Sequence, residues 1–129
     1  MLDTNIAIYV IKRRPVEIRD TFNQHSGQLC ISSITLAELL HGVEKSAKPA
    51  HNLQQVEDFV SRLKVLDYSK KAAAHYGDIR AVLEKQGLCI GVNDLHIAGH
   101  ARSEGLVLVS NNLREFERVA GLRLENWAC

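Results

Sequence analysis

The 129-residue chain has only two prolines, and it contains no apolar run approaching the roughly 18 residues of a membrane-spanning helix. Membrane insertion is therefore not expected, and the lack of proline-rich or low-complexity tracts argues against an internal linker. The only apolar stretch near the start is interrupted by Lys12-Arg13-Arg14-Pro15, which argues against a secretory leader. We expect one cytoplasmic domain spanning residues 1–129.

Cysteine and net charge are scarce as well. The three cysteines, Cys30, Cys89 and Cys129, are too widely spaced for a zinc-binding pattern and too few for a disulfide framework. We expect reduced thiols, with Cys30 and Cys89 buried. The 16 basic and 15 acidic residues give a net charge of +1, so any nucleic-acid binding must come from local patches.

Several enzyme signatures are absent. The chain has no glycine-rich phosphate loop, no dinucleotide fingerprint and no nucleophile elbow. His96 and His100 share a helix face, but no glutamate follows His96 in the zinc-protease manner, so a zinc site is not favoured. Arg80 and Arg102 are modest candidates for a phosphate contact.

What the chain does contain is an alternation of short apolar runs with helical periodicity. Residues 29–32, 64–67 and 106–110 are apolar runs closed by polar residues, typical of buried strands, and Met1-Leu2-Asp3 resembles the end of a fourth. Apolar residues at helical spacing fall between them: Leu36, Leu39, Leu40 and Val43; Leu53, Val56, Val60 and Leu63; Tyr76, Ile79, Val82 and Leu83; and Leu95, Ala98 and Ala101. This alternation predicts an α/β fold with a central, mostly parallel sheet of four to five short strands flanked by helices on both faces.

Three acidic residues, Asp3, Glu38 and Asp94, lie where a strand-like or loop segment gives way to a helical pattern. In parallel sheets, sites form at the edge where the carboxyl ends of the strands meet. Carboxylates gathered there repel one another unless a cation is present, and their oxygens suit Mg²⁺ or Mn²⁺. The sequence therefore predicts a metal-binding active site at this edge.

Each acid also has a purely structural interpretation, because aspartate, serine and threonine favour helix N-termini. Asp3 is suited to cap the first helix, Thr35 and Glu38 fit a capping box, and Asn93 or Asp94 is suited to cap a later helix. That interpretation weakens for the three acids together, because the strand topology brings them to one edge of the sheet.

Four segments, in order and at the expected spacing, resemble the motifs of one family. They are Met-Leu-Asp-Thr-Asn at 1–5, Ile-Ser-Ser-Ile-Thr-Leu-Ala-Glu-Leu-Leu-His-Gly at 31–42, Ile-Gly-Val-Asn-Asp-Leu-His-Ile-Ala-Gly-His-Ala at 90–101, and Leu-Val-Ser-Asn-Asn-Leu-Arg-Glu-Phe-Glu-Arg-Val at 108–119. The chain thus resembles, nearly end to end, the PIN-domain ribonucleases, and most closely the VapC toxins of bacterial toxin–antitoxin pairs.

The resemblance implies an endoribonuclease that uses Mg²⁺ or Mn²⁺, with Asp3, Glu38 and Asp94 as the metal-binding and catalytic acids. It implies that RNA cleavage stops translation, and that the close relatives favour the anticodon loop of initiator tRNA. It further implies neutralisation by a cognate VapB-type antitoxin, homodimer formation, and contact with DNA only through the antitoxin. Relatives use the region of helices 36–44 and 53–63 for these protein contacts.

The chain departs from the family where many PIN domains carry a fourth acid after the last core strand. Asn112 stands there, with Glu115 as an alternative further into the helix, so a firmly held second metal ion is not expected. Thr4, Asn5, Ser110 and Asn112 have side chains suited to support the acids or to contact the scissile phosphate.

Two other functions stay open. A catalytically inactive PIN-like interaction module would use the acids only as caps and would bind an antitoxin without hydrolysing RNA. A phosphatase with an aspartate nucleophile would use Asp3, but that chemistry usually needs a second aspartate two residues on, where the chain has Asn5. Metal-dependent stabilisation separates the first alternative from a nuclease, because helix caps need no Mg²⁺.

Overall fold

In the computed structural model, which describes residues 1–127, short strands alternate with helices. The elements are α1 (Thr4–Lys12), α2 (Val16–Gln24), β1 (Cys30–Ser32), α3 (Ser33–Glu44), α4 (Pro49–Val60), β2 (Lys64–Leu66), α5 (Lys70–Gln86), α6 (Val92–Ser103), β3 (Val107–Val109), α7 (Leu113–Phe116) and β4 (Arg123–Glu125). None of the helices described is long and apolar enough to cross a membrane.

The strands form a parallel arrangement that is joined in the middle by the first residues of the chain. β1 pairs in parallel with β2, and β3 pairs in parallel with β4. The Leu2 N–H donates to the Cys30 carbonyl at 2.9 Å, and the Asp3 N–H donates to the Val109 carbonyl at 3.0 Å. The spatial order is therefore β2, β1, residues 1–3, β3, β4, which confirms the predicted sheet.

Alternate residues along the strands contribute to two separate apolar cores. Leu2, Ile31 and Val109 pack with side chains of α1 to α4, whereas Met1 and Leu108 pack with side chains of α5, α6 and α7. Successive side chains of a strand point to opposite faces of a sheet, so helices cover both faces, as the sequence predicted. This layering leaves the carboxyl edge of the sheet as the place where polar side chains gather.

The helical periodicity located α3, α4, α5 and α6, but it assigned some apolar residues to the wrong environment. α4 ends at Val60, so Leu63 lies beyond the helix whose pattern it continued. Val82 is 41% exposed, whereas its neighbour Leu83 is 1% exposed. Consecutive helical residues are about 100° apart, so only one of two adjacent apolar side chains faces the core fully.

The prediction that Cys30 and Cys89 are buried was wrong. Cys30 in β1 is half-buried, Cys89 is exposed, and both thiols are free. Cys89 lies in the connection between α5 and α6, and such connections run over the surface because their backbone polar groups need partners. Cys129 lies outside the described residues.

Candidate active site

Asp3 sits at the centre of the carboxyl edge, and both of its carboxylate oxygens are hydrogen-bonded. Oδ1 accepts the Ile6 N–H at 2.9 Å, which confirms that Asp3 caps α1. Oδ2 accepts the hydroxyl of Ser110, the residue after β3, at 2.5 Å. The Ser110 oxygen in turn accepts the Asn112 N–H at 2.9 Å. The carboxylate, 3% exposed, is thereby held in one orientation.

Burial raises the pKa of Asp3 above its ordinary value of 3.8, because the charged form loses its hydration. The hydrogen bonds from Ser110 and Ile6 act in the opposite direction, and the charge of Glu38 adds to the rise. Asp3 is thus an oriented carboxylate whose charge is only partly compensated by its hydrogen-bond donors.

Glu38 lies in the second turn of α3 and faces the first turn of α1. Its Oε1 accepts the Thr4 hydroxyl at 2.6 Å, and the Thr4 Oγ1 lies 3.2 Å from the Thr35 Oγ1. The predicted capping box was wrong, because the Ser32 side chain is the N-cap and accepts the Ile34 N–H at 3.0 Å. The helix begins directly after β1, so Thr35 is a buried residue inside it.

Asp94 occupies the first turn of α6 on the other side of the sheet edge. Gly91 is the N-cap of this helix and provides no side-chain bond, so the prediction that Asn93 or Asp94 caps it was wrong. The pKa of Asp94 is raised to about 6, first by burial, then by the charge of Glu115 and less by those of Asp3 and Glu38. A hydrogen bond with Glu115 also raises it.

The structure therefore brings the three predicted acids together and adds Glu115 from α7. Each carboxylate senses the charge of at least one other, which is the arrangement that a bound cation would relieve. An all-carboxylate donor set fits a hard ion such as Mg²⁺ or Mn²⁺. Across residues 1–127, no three acidic, histidine or cysteine side chains already stand in ligating geometry around one point.

The other predicted site residues differ in how closely they approach the acids. Thr4 and Ser110 donate directly to Glu38 and Asp3. Asn112 enters through its backbone N–H, which bonds the Ser110 hydroxyl, and its side chain makes no cap bond to α7. Asn5 is exposed on the first turn of α1. Their roles in catalysis stay predictions.

The helices that carry Glu38 and Asp94 are tied together by a buried hydrogen bond that sequence reasoning missed. His100 of α6 and Ser32, the cap of α3, are both fully buried, and His100 Nδ1 lies 2.8 Å from Ser32 Oγ. The Nε2 atom of His100 has no partner among the described residues. Their separation in the sequence leaves no local pattern that signals this contact.

The remaining histidine and arginine candidates have structural partners. His96 Nδ1 lies 2.8 Å from the Tyr68 hydroxyl, so His96 and His100 do not chelate an ion together in this conformation. Arg102, a candidate for a phosphate contact, instead donates to Asp78 at 2.7 Å and to the Ala120 carbonyl at 2.9 Å. Arg102 therefore fixes the connection after α7 rather than a phosphate.

This fold and this cluster of acids define the class of the protein. Residues 1–122 match the family model of the PIN domain, and the chain belongs to that family. The resemblance carried by the four sequence motifs is thereby confirmed.

More specific relatives share nearly the whole chain. The chain is 67% identical over 127 residues to Ribonuclease VapC2 of Haemophilus influenzae, covering 98% of this chain and 96% of the relative. It is 57% identical over 128 residues to the tRNA(fMet)-specific endonuclease VapC of Shigella flexneri, covering 99% and 97%. A crystal structure of DNA-bound VapBC from Salmonella typhimurium contains a chain that is 56% identical, with a TM-score of 0.95 and coverage of 99% and 97%.

Proposed function

We propose that this protein is a VapC-type toxin, a divalent-metal-dependent endoribonuclease that hydrolyses RNA phosphodiester bonds. The observation that carries the proposal is the convergence of Asp3, Glu38, Asp94 and Glu115 at one edge of the sheet, where burial and the neighbouring negative charges raise the pKa of Asp3 and of Asp94. Such clusters of perturbed acids are typical of functional sites. Relatives that cover almost the same length are named ribonucleases.

In this proposal Asp3 and Asp94 would hold Mg²⁺ or Mn²⁺ most directly, and Glu38 would act through a water molecule. When bound, the ion supplies a water of lowered pKa and offsets the negative charge that develops on the phosphoryl oxygens. Ser110 and the Ile6 N–H hold the two oxygens of Asp3 in a fixed direction. Ordered carboxylates reduce the cost of assembling the site when substrate arrives.

Two further residues tune this arrangement. Thr4 donates to Glu38 at 2.6 Å and holds its carboxylate toward α1. Glu115 brings a fourth carboxylate beside Asp94, where Asn112 brings no charge. Glu115 lies in α7. In this proposal it takes the role of the fourth acid, which many PIN domains carry directly after the last core strand.

The proposed substrate is tRNA, and within tRNA the anticodon loop of the initiator. The support is the name of the Shigella relative, which is specific for tRNA(fMet) and 57% identical over nearly the whole chain. Cleavage of that tRNA in the cytoplasm would stop translation at initiation. The protein would then require a cognate antitoxin, would form homodimers within that complex, and would reach DNA only through the antitoxin, consistent with the DNA-bound VapBC relative.

We assign antitoxin binding to an apolar groove of about 520 Å³ between α1, α3 and α4. A groove of this kind suits the apolar face of an amphipathic helix. Glu38 lies on its wall, so an occupant of the groove reaches the acids and inhibits the enzyme directly. The apolar residues that line the groove are Ile8, Ile11, Leu39, Val43 and Val56.

The test is a cleavage assay with purified protein and total tRNA, in Mg²⁺ or Mn²⁺ and in EDTA. We expect discrete fragments that require the metal ion, and a loss of about 100-fold or more in rate for Asp3→Asn and for Asp94→Asn, because each removes a ligand. Thermal unfolding of both variants controls for the fold. Full activity of either variant would contradict the assignment of the acids.

The rival function, an inactive interaction module, is favoured by one observation, the cap bond from the Ile6 N–H to Asp3. A cap requires no metal ion, whereas a ligand stabilises the state that binds it. In the nuclease, Mg²⁺ raises the melting temperature of the wild type but not that of Asp3→Asn. Absence of both cleavage and this shift would establish the module instead.

A further inference from the structure

Two tyrosines, a histidine and an arginine form a half-exposed cluster that the proposed catalysis does not use. The rings of His96 and Tyr76 lie parallel, with centroids 4.1 Å apart and planes 4° apart. Tyr68 meets the edge of His96 at 5.2 Å, with its hydroxyl 2.8 Å from Nδ1. Arg80 donates to the Tyr76 hydroxyl at 2.6 Å. We call these four residues the aromatic cluster.

The aromatic cluster is unusual in a chain with only 5% aromatic residues. The other large aromatic side chains are buried in the two cores, apart from the half-buried Tyr9, which bonds Asn111. Tyr68, Tyr76 and His96 are each half-buried, and Arg80 is exposed. The accessible ring surface is therefore concentrated at one place; the buried aromatic residues are Phe22, Phe59, Phe116 and Trp127.

The cluster flanks the acids across the start of α6. His96 follows Asp94 by two residues, so the two side chains point about 200° apart around a helix about 10 Å wide. Tyr68 follows β2 at the same edge of the sheet, and its N–H donates to the Ser33 hydroxyl at 3.1 Å. Ser33 is the first residue of α3, the helix that carries Glu38.

We propose that the aromatic cluster is a platform on which an unpaired base of the substrate RNA stacks, across the start of α6 from the acids. The inference rests on the proposed ribonuclease function and deepens it by naming what holds the RNA. Single-stranded RNA is recognised by stacking its bases on aromatic rings and arginine planes. The cluster offers both, in the parallel rings of His96 and Tyr76 and in the Arg80 guanidinium, whose carbon lies 6.0 Å from the centre of the Tyr76 ring.

Arg80 supplies the complementary charge. Its Nε lies 3.6 Å from Glu84, in an exposed pair of residues one helical turn apart. Exposed pairs of this kind contribute little, so a phosphate competes with Glu84 for the guanidinium at low cost. Aromatic rings beside an exposed arginine suit a nucleotide, whereas the aliphatic groove between α1, α3 and α4 suits a peptide.

The test measures RNA binding separately from cleavage, in an Asp94→Asn background with Mg²⁺ present. The probes are a fluorescent RNA hairpin with an unpaired loop and a fully paired duplex of the same length. Tyr76→Leu removes the ring, and Tyr76→Phe keeps it while removing the hydroxyl. We expect Tyr76→Leu to weaken hairpin binding by about 5- to 100-fold and Tyr76→Phe to weaken it far less. For each variant, duplex binding should change less than hairpin binding does.

A second pair of variants tests the charge. Arg80→Gln is expected to lower the slope of binding against salt concentration by about one, because one phosphate contact is lost. Arg62→Gln is the matched control, since Arg62 also forms an exposed pair one turn from its partner, at 3.1 Å from Asp58, but lies outside the cluster. The control should keep the slope of the parent protein.

The inference is overturned if Tyr76→Leu and Tyr76→Phe bind the hairpin equally, or if Tyr76→Leu weakens hairpin and duplex alike. It is also overturned if sedimentation shows that Tyr76→Leu changes self-association while RNA affinity is unchanged, since the face is then a protein interface. Failure of the proposed function is a separate result, because it appears as absence of metal-dependent cleavage by the wild type. Thermal unfolding confirms that each variant is folded.

Discussion

Asp94 is the residue of the site whose ionisation is most disturbed by its surroundings. Its pKa is raised to about 6 from an ordinary value of 3.8, by burial first and then by Glu115, Asp3 and Glu38. In the metal-free protein this carboxyl binds a proton more tightly when folded than when unfolded. The stability that it contributes is therefore fully present below pH 3.8 and is lost as the pH rises through about 6.

We therefore expect Asp94→Asn to stabilise the metal-free protein relative to the wild type as the pH rises from 3.8 to about 6. The gain is on the order of 1 kcal/mol, reduced from the full effect because the carboxyl is only half-buried. Urea unfolding in EDTA at several pH values measures it. Asp20→Asn, which removes an exposed carboxyl from α2, is the control, and parallel stability curves for Asp94→Asn and wild type would contradict the expectation.

Residue-level prediction from the sequence succeeded where a local rule applies and failed where distant strands decide. Asp3 follows a strand and caps a helix, both local facts, and it was placed correctly. Ser32 and Thr35 are equally good caps by type, and the choice between them depends on where β1 stops pairing with β2. Glu115 was named only as an alternative fourth acid, because its approach to Asp94 depends on how α7 folds back rather than on a local pattern.

At the scale of elements, the bond between Ser32 and His100 connects α3 with α6. Burial lowers the pKa of His100, so its ring is neutral near pH 7 and carries a single proton. Ser32 already accepts the Ile34 N–H, and its hydroxyl is free to donate to Nδ1. The two helices that carry Glu38 and Asp94 thus share one side-chain contact whose loss leaves a buried polar group unpaired.

A double-mutant cycle on Ser32→Ala and His100→Leu tests this contact. Each single variant should lower the free energy of unfolding by about 1–3 kcal/mol, because the remaining partner stays buried and loses this hydrogen bond. The double variant should lose less than the sum, by roughly 0.5–3 kcal/mol. Ser46→Ala, which removes a hydroxyl bonded to the Val43 carbonyl of α3, should instead add to His100→Leu without coupling. If the changes in unfolding free energy for Ser32→Ala and His100→Leu were strictly additive, the proposed contact between the two side chains would be refuted.

The strands and helices that contain more apolar residues were easier to predict from the sequence. β1, β2 and β3 read as short apolar runs, and periodic faces revealed the four longer helices of the later chain. β4 has one apolar residue, Leu124, between Arg123 and Glu125, which leaves no pattern to read. α2 buries only Ile18 and Phe22, so its periodicity is too sparse to distinguish from chance.

At the scale of the molecule, the groove between α1, α3 and α4 would link the proposed binding of an antitoxin to the acids, because Glu38 lies on its wall. Gly42 lines this groove, and a side chain added there meets open space, so the fold tolerates one. Gly42→Leu should fill the groove and weaken inhibition by the antitoxin. The measurement is the inhibition constant of the antitoxin, obtained from the cleavage rate of the variant with and without antitoxin. A loss of about 10-fold or more is expected, since a bulky group blocks close packing of a helix.

Gly77→Leu is the matched control for this substitution. Gly77 also lies within a helix, α5, and a side chain there likewise meets open space, but it does not line the groove. The control should be inhibited as strongly as the wild type. Equal inhibition of Gly42→Leu would show that the antitoxin binds elsewhere on the molecule.

The first residues of the chain occupy the middle of the sheet, and this has a consequence for synthesis. Leu2 bridges Val109, and Asp3 accepts its bond from Ser110, a residue 107 positions later. Contacts of such long range form only after the intervening chain exists. A chain still emerging from the ribosome therefore lacks both the pairing of residues 1–3 with β3 and the hydroxyl that orients Asp3. Under the proposed function, the nascent protein would therefore lack its oriented Asp3 carboxylate until its synthesis has passed Ser110.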